Sequence, residues 1–221
     1  MWNSADSIQA RLQAVMGRIA TAARAAGRDP ASVSLVAVSK TFPAAAVAAA
    51  HTAGQVAFGE NYVQEGVAKV AELADLRDQL EWHLIGPLQS NKTRVVAETF
   101  DWVHTVDRLK VAERLNEQRP IDLPPLQVCI QVNTSGEDSK HGIPPSEALP
   151  LAQAVRSLPR LRLRGVMALP APSADPRAQA EQLSRVRAVF DSLTAAGIPL
   201  DTLSMGMSQD LEEAIAQGST L

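Results

Sequence analysis

Lys40 is the first residue whose type and position suggest chemistry. It directly follows the apolar residues Val36, Ala37 and Val38, so its amine would be partly desolvated and less inclined to carry a charge. A neutral amine can attack an aldehyde carbon, which makes Lys40 a candidate nucleophile. Judged from position alone, the alternative of an ordinary lysine that extends to solvent from the end of a strand is favoured.

The segment SMGMS suggests an anion-binding site. The hydroxyls of Ser204 and Ser208 flank Gly206. A helix is predicted to follow from Gln209, and free N–H groups at its start could bind a phosphate. The alternative is a serine-capped helix, in which the three acidic residues at 210–213 complement the helix dipole and would repel a phosphate if they pointed inward. These two interpretations are about equally supported by this segment.

Amides and a histidine follow two further strand ends. The segment GENYVQE contains Asn61, and the segment WHLIGPLQSNK contains His83 and Asn91. Amides at strand ends can orient a ligand, but helix capping explains Asn61 and Asn91 almost as well. A histidine within an apolar run, such as His83, is more often a core residue with satisfied hydrogen bonds than a catalyst.

Cys129 is the only cysteine, and it lies in the apolar run at 126–132. It cannot form a disulfide within the chain, and we expect a buried, reduced thiol in a reducing compartment. The histidines His51, His104 and His141 show no metal-ligand spacing with it or with an acidic cluster. No metal site is expected.

The first predicted element is an amphipathic helix over residues 4–27. Ile8, Leu12, Val15 and Ile19 recur at spacings of three and four, and Gly27 would end the helix.

Seven apolar strand candidates follow, and each precedes a helical pattern. The strand candidates are residues 33–40, 56–61, 81–87, 102–107, 127–133, 163–170 and 202–208. The helices are predicted to begin near Pro43, Tyr62, Gln89, Asp107, Pro144, Asp175 and Gln209. This alternation predicts a parallel α/β sheet, either a (β/α)8 TIM-type barrel or an open doubly wound sheet. The barrel is favoured because no glycine-rich phosphate loop follows the first strand and because polar residues end many strands.

A closed barrel needs an eighth strand, which would begin near Leu221, the last residue. Without it, the first and seventh strands would have open edges. We therefore expect that the chain continues past Leu221 or that the barrel is not closed, with the eighth strand cut short or missing.

The composition points to a soluble protein that acts on small molecules. The chain has 221 residues, 46% of them hydrophobic and 20% charged, with a net charge of −3 and no charged block. Nucleic acid and anionic membranes are therefore unexpected partners. No signal sequence or apolar span is evident. We expect one cytoplasmic domain over residues 1–221.

Several segments together resemble the successive signatures of the YggS/PROSC family, the pyridoxal 5′-phosphate (PLP) homeostasis proteins. These segments are AVSK at 37–40, FGENYVQE at 58–65, WHLIGPLQSNK at 82–92, QVN at 131–133 and LSMGMS at 203–208. The resemblance runs from about Ser32 to the last residue, and the block at 83–92 is its most specific part.

The resemblance implies a barrel akin to the N-terminal domain of alanine racemase, with PLP held as a Schiff base on Lys40. It implies further cofactor contacts from Asn61, Asn133, Ser204, Gly206 and Ser208, the last three around the phosphate. Other candidates are His83, Met167 and Lys140. In the family the chain continues into a strand with an arginine and a Gly-Thr pair that contact the pyridine nitrogen and the phosphate, and these positions are missing here.

The resemblance also implies a carrier. Family members bind and deliver PLP without established robust turnover, and nothing in this chain resembles the second domain from which a racemase takes its second acid–base group. We expect a monomer that buffers PLP or delivers it to apo PLP-dependent enzymes. The alternatives are a weak PLP-dependent amino-acid racemase or lyase, and a barrel that binds another phosphate.

Lys140 lies in the polar segment at 136–142, which we expect to form a mobile loop over the site. It could accept the aldehyde from Lys40 by transimination. The alternative, a solvated loop lysine, is favoured.

Overall fold

Seven parallel strands form one sheet in which the strands are ordered as in the chain. The computed structural model describes residues 5–135, 141–171, 173 and 175–221. The strands are β1 (Ala37–Val38), β2 (Ala57–Glu60), β3 (Glu81–Leu84), β4 (Trp102–Val106), β5 (Leu126–Gln131), β6 (Leu161–Met167) and β7 (Thr202–Ser204). The predicted parallel α/β barrel architecture is confirmed.

Helices connect the strands and cover the outer side of the sheet. They are α1 (Ala5–Ala25), α2 (Ala44–Thr52), α3 (Val63–Glu72), α4 (Thr93–Thr99), α5 (Leu109–Gln118), α6 (Ala148–Arg156), α7 (Pro176–Ala195) and α8 (Leu211–Ala216). The N-terminal helix ends at Ala25, two residues before Gly27, whose φ of +68° departs from helical geometry.

Several predicted boundaries differ from the structure, and two of these differences bear on the site. The first strand has only two residues, because β1 is an edge strand that pairs with β2 alone, through Ala37 and Val38. The helix predicted from Gln209 begins only at Leu211. It starts late because a turn precedes it, in which the Asp210 carboxylate accepts a hydrogen bond from the N–H of Met207, 2.5 Å away.

Side chains alternate between the two faces of the sheet, as the period of a strand requires. Trp82 and Leu84 of β3 and Val103 of β4 are fully buried in the main core against the helices. Trp102 of β4 instead belongs to a second cluster inside the barrel. The two faces therefore carry different chemistry, with the polar strand residues available to the interior.

β1 and β7 do not pair with each other, and backbone hydrogen bonds of residues 34 and 220 link the two sides of the gap between them. The N–H of Thr220 donates to the Leu203 carbonyl at 3.0 Å, and the N–H of Ser34 donates to the Thr220 carbonyl at 2.9 Å. Thr220 thus lies where the eighth strand was predicted to begin. Next to it α1 packs on α8, where the Arg18 guanidinium donates two hydrogen bonds to the Glu212 carboxylate at 2.7 and 2.8 Å.

Cys129 is fully buried inside the barrel, as predicted. Burial raises the pKa of its thiol to about 12, so the thiolate needed for nucleophilic or redox chemistry does not form near neutral pH. Among the described residues, no helix is both long and apolar enough to cross a membrane.

Candidate functional site

A cavity of about 760 Å³ extends from the carboxyl ends of the strands, where barrel proteins assemble their sites, into the gap between β1, β7 and α1. It brings together most of the site residues predicted from the sequence. Those that line it are Lys40, Asn61, Met167, Ser204, Gly206 and Ser208. Asn133 and His83 are not among the lining residues, and Lys140 lies outside the described part of the chain.

Lys40 lies at the mouth of this cavity and is exposed. The desolvation expected from the apolar residues before it is therefore wrong, because the short edge strand β1 leaves this end of the segment uncovered. The backbone on both sides of Lys40 is nevertheless held firmly. The buried Ser39 donates its hydroxyl to Glu60 at 2.6 Å, and the N–H of Thr41 donates to Glu65 at 2.5 Å.

A charge cluster of the buried Glu60 and Lys69 and the half-buried Glu65 provides these contacts. The Lys69 ammonium donates to both carboxylates at 2.7 Å and to the Ser39 carbonyl at 2.6 Å. Its hydrogen bond lowers the pKa of Glu65, so this carboxylate is ionised at neutral pH. The cluster also stabilises Thr41 at a φ of +67°, a conformation that non-glycine residues rarely adopt.

The segment from Ser204 to Ser208 presents hydrogen-bond donors to the cavity. Gly206 has a φ of +98°, and a Cβ there would lie 2.5 Å from the Cβ of Ala214, so only glycine fits. In the described part of the chain, the N–H groups of Gly206 and Ser208 have no acceptor. Two backbone donors and two serine hydroxyls suit a multiply charged oxyanion.

The three acidic residues after this segment do not line the cavity. Arg18 binds Glu212 and lowers the pKa of that carboxyl group. Asp210 accepts from Gln179 at 2.8 Å, and Glu213 accepts from Gln217 at 2.9 Å. Among the described residues, only Glu212 of the three is paired with a cation, and Asp210 also accepts from the N–H of Met207 within the segment. A phosphate there would therefore use the neighbouring N–H groups of Gly206 and Ser208.

Two asparagines that the resemblance assigned to the cofactor differ in their surroundings. Asn61 follows β2 and lines the cavity, and its backbone is in such close contact with Gly86 that a Cβ there would lie 2.1 Å from the Asn61 carbonyl oxygen. The Asn133 side chain instead accepts hydrogen bonds from the N–H and hydroxyl of Ser135, at 3.2 and 2.9 Å.

A chain of buried side chains reaches the cavity from the interior of the barrel. His83 contacts Glu81 and His104, and His104 contacts the Ser204 hydroxyl. His104 lines the cavity, although it was not among the site residues predicted from the sequence. Strand alternation was the available signal, because His104 lies two residues after Trp102 and so faces the barrel interior with it. The described residues contain no cluster of three metal-ligating side chains.

Comparisons with known proteins agree with this architecture. The family model for the alanine racemase N-terminal domain matches residues 10–221. The pyridoxal phosphate homeostasis protein of Pseudomonas aeruginosa is 59% identical over 97% of this chain and 91% of its own length. The protein of the same name from Escherichia coli K12 is 54% identical over 98% of this chain and 93% of its own length.

A solved structure extends the similarity to three dimensions. PipY of Synechococcus elongatus PCC7942, solved with PLP bound, superposes with a TM-score of 0.79 at 38% identity. The match covers 93% of this chain and 94% of PipY. On the family match, the identities and the shared fold, this chain belongs to the family of pyridoxal phosphate homeostasis proteins, which is built on the alanine racemase N-terminal-domain fold.

Proposed function

We propose that the protein binds PLP in this cavity, with the aldehyde on Lys40 and the phosphate at the segment from Ser204 to Ser208, and that it buffers and delivers the cofactor. One observation carries the proposal: a single cavity joins an exposed, positioned lysine to the N–H groups of Gly206 and Ser208, which have no acceptor among the described residues. Its volume of about 760 Å³ is within the range of small-molecule sites. The known binding of PLP by PipY supports the same cofactor here.

Lys40 supplies the covalent attachment. Once deprotonated, its amine would hold the PLP aldehyde as a Schiff base, and the two amine protons would leave with the aldehyde oxygen as water. The charge cluster keeps Ser39 and Thr41 fixed on either side, so little backbone freedom is lost when the lysine reacts.

The cavity lining favours a carrier over a catalyst. Racemisation needs an acid–base group on each face of the substrate carbon. Among the described residues that line the cavity, Lys40 carries the only amine and His104 the only imidazole. Since His104 is buried and bonded to Ser204, no second group is available beside Lys40. Assays for amino-acid turnover test the alternative of a weak racemase or lyase.

Borohydride reduction tests the covalent attachment. We expect the purified protein to be yellow with PLP and to retain one reduced cofactor on Lys40, as shown by peptide mapping. Lys40→Ala is expected to abolish this adduct, whereas Lys110→Ala, a change of another exposed lysine, leaves it intact. Recovery of the adduct on Lys92 or Lys140 would contradict the assignment.

Removal of the serine hydroxyls tests the phosphate end. The double variant Ser204→Ala, Ser208→Ala is expected to weaken PLP binding by about 100-fold or more, since hydrogen bonds to charged groups contribute about 1.5–3 kcal/mol each. Pyridoxal, which lacks the phosphate, should lose much less affinity. Equal losses for the two ligands in equilibrium titrations would show that this segment serves only as a turn before α8.

A further inference from the structure

Four side chains form a continuous hydrogen-bonded chain from solvent to the cavity, and we call it the histidine chain. The Glu81 carboxylate lies 2.7 Å from Nε2 of His83. Nδ1 of His83 lies 2.8 Å from Nε2 of His104, and Nδ1 of His104 lies 2.8 Å from the Ser204 hydroxyl. Both histidines are buried, whereas the Glu81 side chain is 45% exposed.

The direction of the hydrogen bonds follows from the carboxylate at one end. The hydrogen bond from His83 lowers the pKa of Glu81, so Glu81 is ionised and can only accept. With one proton on each imidazole ring, His83 donates through Nε2 and accepts at Nδ1, which makes His104 a donor through Nε2. His104 is then left with an acceptor at Nδ1, and Ser204 must donate its only proton to it. Burial is the main cause that holds the pKa of His104 well below its ordinary value, so the His104 ring is neutral.

The other groups around the two histidines do not supply a proton. Trp102 stacks on His83 with 5.2 Å between the ring centroids. The Arg164 guanidinium lies over the Trp102 ring, 4.7 Å from its centroid, and is paired with Asp201 at 2.8 Å. Cys129, in the same cluster, stays protonated because burial raises its pKa to about 12.

In this resting direction, Ser204 presents only lone pairs to the cavity. Three hydrogen bonds use the three protons that His83, His104 and Ser204 hold between them. A dianionic phosphate ester can only accept, so Ser204 cannot bind it without a fourth proton. If one proton enters at the Glu81–His83 end, each proton shifts along the chain, His104 donates to Ser204, and the serine hydroxyl is free to donate to the ligand.

We propose that Glu81, His83 and His104 are positioning residues that set the hydrogen-bond direction of Ser204 and couple phosphate binding there to the uptake of one proton. This inference rests on the proposed function, because it assumes a phosphate ester at Ser204. As a consequence, the affinity for the phosphate ester falls by up to tenfold for each pH unit above the phosphate pKa of about 6.

The decisive experiment counts protons with pyridoxine 5′-phosphate, which has the phosphate but no aldehyde to react with Lys40. Binding is measured by isothermal titration calorimetry at pH 8 in two buffers of different ionisation enthalpy. Glu81→Gln is the test variant, because an amide can either donate to His83 or accept from it and so permits both directions without an added proton. Glu98→Gln, which changes an exposed glutamate on α4, is the matched control.

We expect wild type and Glu98→Gln to take up about one proton more per ligand than Glu81→Gln. Nitrogen-15 NMR of the imidazoles gives an independent readout, in which the His104 proton moves from Nε2 to Nδ1 when the ligand binds. Equal proton counts in wild type and Glu81→Gln, or an unchanged His104 tautomer, would overturn the inference while leaving the proposed function intact. Failure of the wild-type protein to bind the ligand at all would instead overturn the proposed function.

Discussion

Replacement of Lys69 by methionine is expected to lower the free energy of unfolding by about 3–5 kcal/mol, the cost of leaving a buried charge without its partner. The side chains of Lys69 and Glu60 are 6% and 0% exposed, so water cannot take the place of the ammonium group. Glu60 already has one oxygen, Oε2, without a partner among the described residues. The variant would therefore leave a carboxylate with only the Ser39 hydroxyl.

Urea denaturation followed by circular dichroism measures this effect. Lys110→Met, a change at an exposed lysine on α5, should stay within about 0.5 kcal/mol of wild type. Glu60→Gln added to Lys69→Met should restore part of the loss, because it removes the uncompensated charge. A loss below about 1 kcal/mol in the single variant would show that the cluster is less buried than its contacts indicate. The same variant should weaken PLP binding, since the cluster positions the backbone beside Lys40.

Gly165→Ala is expected to be the most damaging small substitution, with a loss of more than about 4 kcal/mol in the free energy of unfolding. A Cβ at this position would lie only 1.6 Å from the carbonyl oxygen of Thr202. Because Gly165 and Thr202 pair directly across β6 and β7, neither backbone can move without breaking the ladder. The strands that carry Met167 and Ser204 would separate, so the cavity should be lost with the stability.

Gly17→Ala provides the matched control, since a Cβ there meets nothing within 4 Å. Gly17 lies inside α1, and alanine in a helix interior is favoured over glycine by about 0.5–1 kcal/mol. Thermal melts should therefore show a higher midpoint for Gly17→Ala and a much lower one, or no folded protein, for Gly165→Ala. A Gly165→Ala protein with a wild-type melt would contradict the register of β6 and β7.

The sequence was sufficient to predict the parallel strands and the polar residues at their carboxyl ends, because both depend on local patterns. Lys40, Asn61 and Ser204 meet at one cavity for the general reason that parallel strands end at the same edge of a sheet. The resemblance added the cofactor and the proposed role of Lys40, which residue types alone did not favour.

The remaining features depend on contacts between elements distant in the chain. Lys69 looks like an ordinary helix-surface lysine, and it is buried only because β2 and the residue before Lys40 place oxygen atoms around it. The partners of His104 are likewise on other strands, and one of them is 100 positions away. The prediction that Lys40 is desolvated was wrong because the sequence does not show that β1 lies at the edge of the sheet.

The order of the strands also bears on how the protein folds. Because β1 to β7 pair in chain order, each new strand closes only the loop to its predecessor, which keeps the entropic cost of every step small. The contact between α1 and α8 is of another kind, since Arg18 and Glu212 are 194 positions apart. Arg18 and the segment from Ser204 to Ser208 line the same cavity, so this space is complete only when both ends of the chain have met. A ligand bound there therefore stabilises the whole folded molecule rather than any single βα unit, because its binding free energy is gained only in the folded state.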